Sequence, residues 1–78
     1  MRAGDDAVQT IAASLLDYVV RHPDAADSIE GIRRWWMPEG VAASRIGVEA
    51  ALEQLVRAGE LTRHQLPGRG VLYARRRA

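Results

Sequence analysis

Apolar positions along the chain repeat in two periods, and the change of period divides it. Over residues 6–22, Val8, Ile11, Ala12, Leu15 and Val19 recur at three- and four-residue spacing, which predicts an amphipathic helix. Asp5 or Asp6 is suited to cap its start, Arg21 and His22 suit its negative end, and Pro23 stops it. A second, shorter helix is expected within "DAADSIEGIRRWWMP", with Ile29, Ile32 and Trp36 on one face. Asp27 and Glu30 make an Asp-x-x-Glu pattern like a capping box, with Ser28 as the rival cap. "SRIGVEAALEQLVRAGEL" is the clearest helix. Ser44 is its expected N-cap, Val48, Ala51, Leu52 and Leu55 its apolar stripe, and Gly59 the glycine beyond its end. The pattern then turns extended, with strands over roughly 60–66 and 71–75 around "PGRG", whose Pro and two Gly predict a hairpin turn.

A lone two-stranded hairpin is marginal in water, so it must pack on the helices. The prediction is one α+β domain across residues 1–78, ordered over roughly 6–75: three helices followed by a two-stranded β-hairpin. With 78 residues and no Phe, its core must be compact and rich in Leu, Ile and Val. Trp36 joins Ile29 and Ile32 in that core. Trp35 lies about 100° off their stripe, so it either roofs the following turn or stays open as a contact.

Composition removes several function classes. There is no Cys, hence no disulfide scaffold and no thiolate metal site. His22 and His64 lie far apart without ligand spacing, and Ser14, Ser28 and Ser44 lack a paired His. "PGRG" joins two strands, unlike a phosphate loop, which precedes a helix. No catalytic residues, metal or cofactor are implied, and an enzyme is not expected. No apolar run is long enough to span a bilayer, and "MRAGDDAVQT" has no signal-like apolar stretch, so a cytoplasmic location is expected.

The net charge of +1 conceals an asymmetry. All ten acids lie in residues 1–60, while residues 61–78 carry Arg63, Arg69, Arg75, Arg76 and Arg77 and no acid. A basic end of this kind suits a polyanion.

"VEAALEQLVRAGEL" followed by "GRGVLY" resembles the winged helix-turn-helix family, through Val48, Leu52, Leu55, Gly59 and Leu61, then Gly68 or Gly70 ahead of Tyr73. The resemblance covers most of the chain. It implies that the third helix is the recognition helix and the hairpin its wing. Two departures stand out: the turn before the third helix is longer than the tight turn usual in such motifs, and Arg33 replaces a small residue, its stem packing and its head snorkelling. What the resemblance implies first is a small bacterial regulator of transcription that binds double-stranded DNA. Arg45, Glu49 and Gln54 would lie nearest the bases or backbone, and Arg63, Arg69 and Arg75 on flanking phosphates. The alternative is a winged-helix module that binds protein and not DNA, with Trp35 and Ile46 as contacts, because Glu49 and Glu53 would repel phosphates. A homodimer through Tyr18 and the first helix is a further expectation, although no heptad demands one.

Overall fold

The computed structural model describes residues 3–38, 44–68 and 70–76, the side chains of residues 3–5 excepted. Helix α1 spans Ala3–Arg21, strand β1 Ala26–Asp27 and helix α2 Ile29–Gly31; α2 continues into a π-helical segment, Ile32–Trp36. Helix α3 (Arg45–Arg57) and strands β2 (Leu61–Leu66) and β3 (Gly70–Arg75) complete the order. This is an α+β arrangement of three helices and a three-stranded antiparallel sheet, ordered β1-β3-β2.

The sheet has one strand more than the predicted hairpin. Ala26 pairs with Ala74 and Asp27 with Tyr73, so β1 covers the free edge of β3. The hairpin itself runs from Leu61↔Arg75 to Leu66↔Gly70. Glycines with positive φ lie at its turn, Gly68 and Gly70, where other residues would be strained. Helix α1 starts earlier than expected, at Ala3, which places Asp5 and Asp6 inside its first turns and not at its cap.

Among the described residues, twelve form the core. Ile11, Ala12, Leu15 and Val19 come from α1, Ile32 and Trp36 from the π-helical segment, Val48, Ala51, Leu52 and Leu55 from α3, and Leu61 and Tyr73 from the sheet. The four residues of the predicted α3 stripe are all buried. Ser44 caps α3 by accepting a hydrogen bond from the Gly47 amide at 3.0 Å. At the other end the Glu60 amide donates to the Leu55 carbonyl at 2.9 Å and the Gly59 amide to that of Val56 at 3.1 Å. This is a Schellman motif, and Gly59 supplies its left-handed residue at φ +80. The chain is thereby reversed into β2, and the hairpin is laid against the helices.

The start of α2 differs from the capping box. Ser28 is the cap, accepting from the Gly31 amide at 3.2 Å. Asp27 instead accepts from the Ser28 amide at 2.8 Å, as part of β1. The carboxylate of Glu30 reaches across to α3, as described below. The segment ends at Met37, whose extended backbone (ψ 134) is the conformation that a following proline, Pro38, favours.

Candidate functional site

The outward face of α3 is covered by a network of paired side chains. Arg45, in its first turn, donates through Nε to Glu49 Oε1 at 2.9 Å, one turn along the same helix. Its Nη1 reaches Glu30 Oε1 on α2 at 2.8 Å, so one guanidinium clamps the two helices together. Farther along, Glu53 receives Arg63 of β2 at 2.9 Å and Arg57 at 3.9 Å. Gln54 is paired with Gln9 of α1 by reciprocal amide hydrogen bonds of 3.2 and 3.3 Å. Arg63 stands beside Tyr73, its cross-strand partner, and Glu53; both raise its pKa above the ordinary arginine value, Tyr73 the more strongly.

The nominated residues thus separate. Arg45 and Glu49 are brought together, but with each other and with Glu30. Gln54 and Arg63 are each held by a partner from another element. Arg69 lies outside the described residues. Arg75, at the end of β3, is exposed. Neither Arg75, Arg76 nor Arg34 has an acid within ion-pair reach among the described residues.

Among the described residues three large apolar side chains remain open: Ile46, 81% exposed, Val20 on α1, 57% exposed, and Trp35, 67% exposed. The neighbouring Trp36 is buried and stacks on Tyr18, ring centroids 5.0 Å apart and planes 14° from parallel. His22 packs on the same Tyr18 ring at 4.4 Å. The paired tryptophans therefore divide their roles, one in the core and one outside it. Ile46 follows Arg45 directly, and Trp35 shares a cleft of about 450 Å³ with Glu30, Gly31, Arg33 and Arg34. Glu30 thus lines the Trp35 cleft and also bonds Arg45, the chain neighbour of Ile46.

Arg33 half-snorkels as its stem predicts: its side chain is 35% exposed and Nη1 lies 3.6 Å from Glu30. Its Nε is buried without a hydrogen-bond partner. Sequence reasoning missed Glu30 and Gly31. Glu30 was assigned to a local cap, and its bridge to Arg45 is a tertiary contact with no local signature. A Cβ at Gly31 would overlap the Asp27 carboxylate, so only glycine permits this close approach.

No group of acids and histidines that could hold a metal ion occurs among the described residues. No described helix is long and apolar enough to cross a membrane. No family model matches the chain, and comparisons with curated proteins and with solved structures likewise yield no match.

Proposed function

We propose that the domain is a winged helix and that it binds a partner protein through the region around Trp35, the Glu30–Arg45 bridge and Ile46. The winged-helix reading is supported by the order of elements, with α3 turned by Gly59 into the β2–β3 hairpin. One observation carries the functional reading: the arginines suited to hold DNA at the α3 face, Arg45 of α3 and Arg63 of β2, are already paired with acids within the molecule, whereas Trp35 and Ile46 are left open. A duplex approaching this face would bring phosphates toward Glu30, Glu49 and Glu53. A protein surface could cover the exposed apolar groups and leave the ion pairs at a wet rim.

Duplex DNA is the second reading, favoured by Arg75 and Arg76 at the end of the hairpin, which are exposed and have no acid within ion-pair reach among the described residues. A salt series with random duplex DNA separates the two. Binding that is strong at low salt, falls steeply with added salt and moves α3 amide resonances would replace the protein reading with the DNA reading. The protein reading expects α3 resonances unmoved by duplex. It also expects a photo-crosslinker at position 46, in cells of the source organism, to form a polypeptide adduct that nuclease leaves intact.

A further inference from the structure

Trp35 stands between two clefts. One holds Glu30, Gly31, Arg33 and Arg34; the other, of about 320 Å³, includes Asp17, Tyr18, Arg21 and His22. The charges around the indole are unevenly satisfied. Arg21 is paired with Asp17. Arg33 has only a 3.6 Å contact with Glu30, whose carboxylate is held more closely by Arg45 at 2.8 Å. Arg34 is exposed and has no acid within ion-pair reach among the described residues. An under-neutralised pair of guanidinium groups therefore adjoins an exposed indole.

We infer that this ridge docks a polypeptide segment of the partner in which an acidic residue adjoins a large apolar one. The inference rests on the protein-binding reading and names the partner's chemistry. A carboxylate offers Arg34 the planar acceptor that a guanidinium binds through two parallel hydrogen bonds. An apolar side chain laid on Trp35 removes its exposed indole surface from water. Arg34 and Trp35 are consecutive, so the two groups that satisfy them must also be close together in the ligand. A single-stranded nucleic acid has the same pair of chemistries, a base to stack and a phosphate to bind. Its phosphates repeat along the strand, however, and both clefts carry carboxylates, Glu30 and Asp17. A peptide can present one negative charge where Arg34 is and none where Glu30 and Asp17 are.

The test pans a phage library of short random peptides against the full chain and its Arg34→Glu, Trp35→Ala, Arg34→Lys and Ile46→Glu variants. Circular dichroism checks that each variant is folded; all three positions are exposed. Enriched peptides should carry Asp or Glu beside Leu, Ile, Phe or Trp. A labelled peptide of that pattern should bind the Arg34→Glu and Trp35→Ala chains about tenfold or more weakly, as expected for loss of a hot spot. Arg34→Lys should retain part of the affinity. Peptides without an acid, indifferent to Arg34→Glu but lost with Trp35→Ala or Ile46→Glu, would sink this inference and leave the protein-binding reading standing. No enrichment dependent on Trp35 or Ile46 would sink both. Oligo-dT that binds in an Arg34- and Trp35-dependent way, where peptides do not, would assign the ridge to nucleic acid.

Discussion

At the scale of single residues, the adjacent tryptophans provide a sharp contrast. Trp36 is buried and stacked on Tyr18, so Trp36→Ala should cost about 3–5 kcal/mol, comparable with the whole stability of a small domain. Trp35→Ala should change stability by less than about 0.5 kcal/mol, because exposed positions away from special features tolerate truncation. Urea unfolding of the two variants checks both; a large loss from Trp35→Ala would make that side chain structural and remove the main support for a contact role. Gly31 offers a second test at this scale. Its backbone is helical (φ −64, ψ −40), so alanine there should by itself stabilise by about 0.5–1 kcal/mol. The new methyl would instead displace the Asp27 carboxylate and break its bond to the Ser28 amide. Gly31→Ala is therefore expected to destabilise the natural chain but to stabilise an Asp27→Ala background. Unfolding midpoints in the four-member cycle report that change of sign; equal effects in both backgrounds would mean the two residues do not interfere.

At the scale of elements, how far the sequence could be read depends on how local the signal is. Every determinant of α3 lies within or beside it: the Ser44 cap, the stripe Val48, Ala51, Leu52 and Leu55, and the glycine at position 59. Its bounds and buried face were therefore legible. Gly59→Ala should cost roughly 1–2 kcal/mol, since alanine at φ +80 is strained, and Ser44→Ala about 1 kcal/mol. Thermal or urea unfolding measures both; a neutral Gly59→Ala would mean that the left-handed turn into β2 is not needed. Strand β1 was not legible, because two residues have no period of their own and their partners, Ala74 and Tyr73, lie at the far end of the chain. The π-helical turn of Ile32–Trp36 was hidden for another reason. Ile29, Ile32 and Trp36 have the spacing of an ordinary α-helix, and the slower winding of a π-turn brings Ile32 and Trp36 closer to one line without changing that spacing. The candidate site was legible only as a set of residue types. Trp35 and Ile46 could be named as off-stripe, but the partners of Arg45, Gln54 and Arg63 come from three other elements.

At the scale of the whole molecule, the charge asymmetry of the sequence is redistributed by folding. Arg63 comes from the basic end, yet it lies against Glu53 of the acidic part, and Arg45 is shared by Glu30 and Glu49. What remains unpaired among the described cations, Arg34, Arg75 and Arg76, lies on the π-helical segment and at the end of β3, not on α3 itself. If three carboxylates hold the α3 face neutral, removing their charge should create a polyanion site that the natural chain lacks. The triple variant Glu30→Gln, Glu49→Gln, Glu53→Gln keeps side-chain size and removes three negative charges, raising the net charge of +1 by three. It is expected to bind random duplex DNA at low salt, where the natural chain does not. With Arg45, Arg57 and Arg63 each free to meet one phosphate, log K should fall with log salt with a slope of roughly −3. The unfolding midpoint should hardly move, because solvent-exposed ion pairs contribute little to stability. Fluorescence anisotropy of a labelled duplex across a salt series gives both affinity and slope. Equal binding by natural and triple-variant chains would mean that the carboxylates do not mask the arginines. The preference for a protein partner would then lose its electrostatic basis, because a duplex could meet the face of α3 unopposed.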